Sequence, residues 1–118
     1  MRKKLYLTRE EIMKLKPIHG RDVTWRKYPS GEVLVLKRDQ GLKYKIAKKL
    51  LGDDVEPYRK YVLDEVGSLV WELCDGENTI SDILRKISRK LDIEESKIEQ
   101  YLLTYLRKLE RKGLIEVK

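Results

Sequence analysis

The clearest pattern along the chain lies between residues 79 and 91, where Ile80, Ile83, Leu84, Ile87 and Leu91 recur at i, i+3, i+4, i+7 and i+11 among Arg85, Lys86, Arg89 and Lys90. That spacing predicts an amphipathic helix with one apolar stripe, and Thr79 stands where a side-chain cap belongs. Further on, Ile98, Tyr101, Leu102, Tyr105, Leu106 and Leu109 gather on one side of another helix. Asp92 with Glu95 fits a capping box at its start, and Gly113 closes it. Upstream, Val66, Leu69, Val70 and Leu73 mark a third helix, with Asp64 as its cap and Asp75-Gly76-Glu77-Asn78 as the turn that ends it. Leu114-Ile115-Glu116-Val117 is too short to stand alone, and pairs with an edge or packs as a tail.

The first half follows a different period. Val23 to Tyr28 alternates and is rich in β-branched and aromatic residues, Pro29-Ser30-Gly31 is a turn, and Glu32 to Lys37 is a second run of strand length, so a β-hairpin is predicted. Leu42, Ile46, Ala47, Leu50 and Leu51 return to helical spacing among Lys43, Lys45, Lys48 and Lys49, before Gly52-Asp53-Asp54. Pro57 then introduces a third strand, Tyr58 to Leu63, with Arg59, Tyr61 and Leu63 on one face and Tyr58, Lys60 and Val62 on the other. Thr8-Arg9-Glu10-Glu11 reads as a capping box for a short helix that Pro17 stops, followed by a linker from Pro17 to Gly20. A hairpin, one more strand and three helices make a winged-helix-like α+β domain. The expected organisation is an N-terminal extension over residues 1–20 and one domain over 21–118, with a helical insert at 42–51.

Composition narrows the class. At 118 residues the chain has the size of one domain, and 41% hydrophobic with 40% charged residues describes a compact interior under a well-solvated surface. No apolar run approaches the roughly 20 residues that span a bilayer, so no membrane partner is expected. Glu10, Glu11, Lys14 and Lys16 interrupt any signal-peptide core behind the basic start Met1 to Leu5, and a cytoplasmic location is expected. The Lys/Glu-rich, Gln-poor surface is of the kind common in heat-stable (thermostable) proteins. The net charge of +7 is uneven: residues 1–60 carry 17 Lys/Arg against 8 Asp/Glu, and residues 61–118 carry 10 against 12. A basic front half suits nucleic acid, an acidic peptide or an acidic protein, and charge does not choose among them.

The residues needed for chemistry are not grouped. His19 is the one histidine, with no second His or Cys at ligand spacing, so no metal site is expected. Cys74, the one cysteine, sits in an apolar helical context and reads as a buried, inert thiol. No base accompanies a serine or cysteine nucleophile, and the paired acids Asp64/Glu65, Asp75/Glu77 and Glu94/Glu95 suit helix caps and solvation. Gly31, Gly41 and Gly52 are isolated turn glycines, not a phosphate loop. No catalytic residue and no cofactor are therefore expected, and the chain reads as a non-enzyme.

Residues 58–79 resemble the signature of the PqqD family, also called recognition elements for ribosomally made, post-translationally modified peptides (RiPPs). The resemblance centres on Leu63-Asp64-Glu65-Val66-Gly67-Ser68, Val70-Trp71 and Asp75-Gly76 followed by Thr79 and Ile80, and extends loosely over residues 20–117. It implies a three-stranded antiparallel sheet followed by three helices, and no catalysis. It further implies binding of the leader region of a precursor peptide and its presentation to a separate modifying enzyme, often a radical S-adenosylmethionine (radical SAM) enzyme. The leader would lie against the third strand, here Tyr58, Arg59, Lys60, Tyr61, Val62 and Leu63, and in a groove beside the third helix, where Tyr101, Tyr105 and Lys108 are the candidate contacts. An edge strand receives an extended peptide by β-augmentation, while side-chain pockets and basic groups such as Arg59, Lys60, Arg107 and Lys108 would supply specificity for an acidic guest.

Several features keep a plainer reading beside the functional one. Asp75-Gly76 and Thr79 serve as turn and cap whatever the function. Trp71, off its helix's stripe, packs under the hairpin or faces a partner, and Leu103, opposite Ile98 and Leu109, is incidental or part of a partner surface. The 42–51 insert could itself cover the strand edge. A winged-helix nucleic-acid binder is the alternative reading, weakened by Glu94 and Glu95 at the start of the helix that would enter DNA. A tethering role with a homodimer through the strand edge is the third.

Overall fold

The computed structural model describes residues 7–38, 41–52 and 58–118. The elements in chain order are α1 (Arg9–Met13), β1 (Pro17–His19), β2 (Val23–Lys27), β3 (Val33–Arg38), α2 (Leu42–Leu51), β4 (Tyr58–Leu63), α3 (Glu65–Leu73), α4 (Ile80–Leu91), α5 (Glu95–Arg111) and β5 (Ile115–Val117). The fold is α+β, with a three-stranded antiparallel sheet and several helices. Met1 to Leu5, Asp53-Asp54 and Pro57, which carried sequence expectations, lie outside the described residues. The chain divides into two compact units, one of residues 21–65 and one joining the N-terminal segment up to Gly20 to residues 66–118.

The first unit holds the sheet, in the order β2-β3-β4. The hairpin forms where the alternation and the turn residues predict it. Tyr28 donates its N–H to Glu32 O at 2.8 Å and Gly31 donates to Tyr28 O at 2.9 Å, with Trp25 opposite Val35 across the ladder. β4 pairs with β3 from Val33↔Leu63 to Arg38↔Tyr58. Because side chains alternate across a strand, Val33, Val35, Tyr61 and Leu63 share one face, on which Val33, Val35 and Leu63 are buried. The other face carries Leu34, Leu36, Tyr58, Lys60 and Val62.

The second unit is built on α4. Its capping box pairs Thr79 with Asp82, and the stripe residues Ile80, Ile83, Leu84 and Ile87 are all buried. α4 packs against α5, whose Leu102, Leu106 and Leu109 are buried, and against α1. α5 ends in a Schellman motif: Gly113, at φ +73°, donates to Glu110 O at 2.9 Å, and Leu114 donates to Leu109 O at 2.9 Å.

Two local expectations are corrected. Pro17–His19 is not a linker but strand β1, antiparallel to β5 from Pro17↔Val117 to His19↔Ile115 and bridged at Ile18 to Asp75. A proline is tolerated at the first position of a strand. Asp92 does not open α5. It closes α4 in the left-handed conformation (φ 55°) with its N–H on Ser88 O, a role that Asp tolerates, and Glu94 precedes α5 without a side-chain cap. Trp71, for which two readings stood open, is fully buried and stacks on His19, with centroids 3.9 Å apart and planes 8° from parallel.

Candidate functional site

The strand predicted from residues 58–63 exists with those bounds, and the sheet order places it at an edge, with β3 as its one strand neighbour among the described residues. An edge strand of an antiparallel sheet directs every second peptide group away from its neighbour, which is the geometry that β-augmentation uses. β4 also displays side chains suited to reading a guest. Val62 is 66% exposed and Tyr58 43% exposed, on either side of Lys60. Arg59 is exposed on the opposite face, beside half-buried Tyr61, and Leu63 anchors the strand from a buried position.

The insert, α2, does not bury Ile46, Leu50 or Leu51 on this edge. Ile46, Leu50 and Leu51 are all exposed, whereas a helix laid by its apolar side against β4 would have covered them. β2 forms the other edge of the sheet and is exposed along most of its length, and in the register of the ladder it presents Thr24 and Arg26 where β4 presents Lys60 and Val62.

On α5, Tyr101, Tyr105 and Lys108 follow each other at i, i+4 and i+7 and so form one stripe. The two tyrosine rings stack with centroids 6.0 Å apart and planes 13° from parallel. Tyr101 is exposed, Tyr105 is half-buried and Lys108 is exposed, one step round the helix from the buried Leu102, Leu106 and Leu109. Leu103 is half-buried. The strand set and the helix set belong to different compact units.

The turn between α3 and α4 is a built scaffold. Asp75 Oδ1 accepts the N–H groups of Glu77 and Asn78, each at 2.9 Å, and Asp75 Oδ2 accepts Asn78 Nδ2 at 3.0 Å. Those backbone donors hold the Asp75 carboxyl below the usual aspartate range. Lys86 Nζ donates to Asn78 Oδ1 at 2.6 Å. The N-terminal segment finishes the job: Leu15 O accepts the first amide of α4, Ile80 N–H, at 2.8 Å, and Pro17 O accepts Gly76 N–H at 2.8 Å. Arg9 of α1 pairs with Glu99 of α5 through two hydrogen bonds, Nε to Oε2 at 2.9 Å and Nη2 to Oε1. Sequence reasoning missed this role of residues 9–19; the signal available was Pro17-Ile18-His19, a β-branched residue behind a strand-starting proline.

His19 and Cys74 are interior groups. His19 Nε2 donates to Trp71 O at 2.8 Å, and burial pushes its pKa down. Burial pushes the Cys74 thiol up to about 12, so it carries no thiolate at neutral pH. Among the described residues no cluster of His, Cys, Asp and Glu has the makings of a metal site.

An antiparallel sheet with an edge strand bearing exposed apolar and basic side chains, and helices joined by an Asp-Gly turn, describe a small protein of the α+β class. Comparison with known families agrees with the resemblance carried by the Asp75-Gly76 region. The sequence model of the family described as "Coenzyme PQQ synthesis protein D (PqqD)" matches residues 53–115, more than half of the chain, and the chain belongs to that family. The match takes in β4, α3, α4 and α5, and leaves α1, β1, β2, β3 and α2 outside. No curated protein and no solved structure matches the chain significantly.

Proposed function

We propose that this chain binds the leader region of a ribosomally made precursor peptide as an added strand on β4 and presents it to a separate modifying enzyme of the radical SAM type. The chain performs no catalysis of its own in this reading, works in the cytoplasm and has the winged-helix-like arrangement of its family. The observation that carries the proposal is the position of β4: an edge strand, inside the family match, with Val62 and Tyr58 exposed. Backbone pairing supplies affinity without sequence reading, so selectivity falls to side chains. Arg59 and Lys60 favour acidic residues in the guest, and Tyr58 and Val62 favour apolar ones at alternate positions.

The test is an NMR titration of the isotopically labelled chain with synthetic peptides corresponding to short reading frames encoded beside its gene. Shifts in the amides of residues 58–63 are expected. Shifts that also reach Tyr101, Tyr105 and Lys108 support the full expectation, and shifts confined to β4 restrict the seat to the strand. A peptide that is modified only in the presence of this chain, yet moves neither element, would refute the proposal. The nucleic-acid reading gains nothing from the structure, because Glu94 and Glu95 stand exposed at the N-terminus of α5, where a phosphate backbone would be repelled.

A further inference from the structure

α2, which lies outside the family match, has chemistry of its own. α2 reads Leu-Lys-Tyr-Lys-Ile-Ala-Lys-Lys-Leu-Leu, with four lysines and no acid. Ile46 is 49% exposed, Leu50 76% and Leu51 68%, so these three aliphatic side chains lie on the surface and are not spent on the sheet of their own unit. At about 100° per residue, Lys45, Lys48 and Lys49 fall on one side of the helix, and Ile46, Leu50, Ala47 and Leu51 spread over the other, with Lys43 among them. Exposed aliphatic groups in such a cluster mark a surface made to be covered.

We propose that α2 docks the protein on the surface of an anionic lipid bilayer. Charge complementarity requires a negative occupant, and a second copy of this helix would set lysine against lysine. The breadth of the apolar arc favours a bilayer over a groove in an acidic protein, since groove-bound helices use a narrow stripe at i, i+4 and i+7. Lys43 points the same way. At a lipid interface its ammonium snorkels back to the headgroups while its stem lies on the acyl boundary, whereas a dry groove would bury that charge without a partner. Ten residues lie flat on such an interface and cannot span it, in keeping with the lack of any described helix long and apolar enough to cross a membrane. The sequence expectation of no membrane partner rested on the lack of a spanning segment, and this proposal departs from it on the exposure of Ile46, Leu50 and Leu51, which the sequence did not reveal. The proposal is independent of the peptide reading of β4.

The test uses the full chain and vesicles of phosphatidylcholine, with and without phosphatidylglycerol, in a co-sedimentation assay at low salt. Binding is expected on the anionic vesicles and not on phosphatidylcholine alone. The double variant Leu50→Ser/Leu51→Ser and the charge reversal Lys48→Glu/Lys49→Glu should each lower partitioning on the order of tenfold, with unchanged circular dichroism, since all four residues are exposed. Absence of binding to anionic vesicles overturns the proposal and leaves an acidic protein as the occupant. Binding that the leucine variant leaves unchanged overturns it as well, because plain polybasic attraction would then account for it.

Discussion

Gly76 offers the sharpest test of the turn on which the helical unit is built. Its φ is +83°, and a Cβ added there would lie 2.8 Å from Ile18 Cδ1 and 3.3 Å from Ile18 Cγ1. Two costs of Gly76→Ala are separable. The left-handed backbone costs an L-residue roughly 1–2 kcal/mol. The contact falls on the end of a partly exposed side chain, so Ile18 yields by leaving its rotamer at about 0.5–1.5 kcal/mol. Against these, alanine restricts the unfolded chain by about 0.4–1 kcal/mol. The net is a destabilisation of about 0.5–3 kcal/mol, and each kcal/mol lowers Tm by about 4 °C in a domain of this size. Urea denaturation should show a lower midpoint with an unchanged slope. In the background Ile18→Ala the same substitution should cost less, by the steric part alone. A Gly76→Ala protein with the parent's midpoint would refute the geometry, and full recovery in the Ile18→Ala background would show that the backbone cost had been misplaced.

Three further outcomes follow from groups already described. Burial lowers the His19 pKa below its ordinary value near 6.5, so the unfolded chain binds more protons in that window. Stability should therefore fall as pH drops below about 6.5, with the single histidine's C2 proton reporting a depressed pKa; an ordinary or raised value would contradict the burial. Asp75→Ala removes the acceptor of two backbone N–H groups and one side-chain amide, and should cost roughly 1–2 kcal/mol in a urea melt at pH 7. That difference should shrink as pH falls below the unfolded aspartate value near 3.8, because a depressed carboxylate stabilises only above it, and a pH-independent difference would count against the carboxylate's role. Cys74, fully buried and with its thiol pushed up to about 12, should resist a disulfide reagent at pH 8 until the protein unfolds, and immediate reaction would place it at the surface.

The sequence was legible where one element satisfied its own periodicity. α4 begins behind Thr79 and runs through the stripe Ile80, Ile83, Leu84 and Ile87 as the spacing required, and β2, β3 and β4 match the runs of strand length. Legibility failed where a residue's role depended on a distant partner. β1 is three residues long and finds its mate, β5, at the far end of the chain, so Pro17-Ile18-His19 was too short a local signal to mark it. Asp92 is followed by a plausible capping partner in Glu95, but it is taken first by the C-terminus of α4, where its left-handed conformation closes the preceding helix. Trp71 stood off the stripe of α3 because its partner is His19, from a segment that read as a linker. Of the candidate site, residues 58–63 were legible as a strand, but their place at an edge is a property of the sheet order and not of the strand itself.

The most direct measurement is amide hydrogen exchange of the full chain with and without a leader peptide that it binds. The account predicts slowed exchange at alternate amides of Tyr58–Leu63, with Val23–Lys27 on the opposite edge unchanged. Protection of Val23–Lys27 instead, or binding that leaves residues 58–63 exchanging as before, would contradict it.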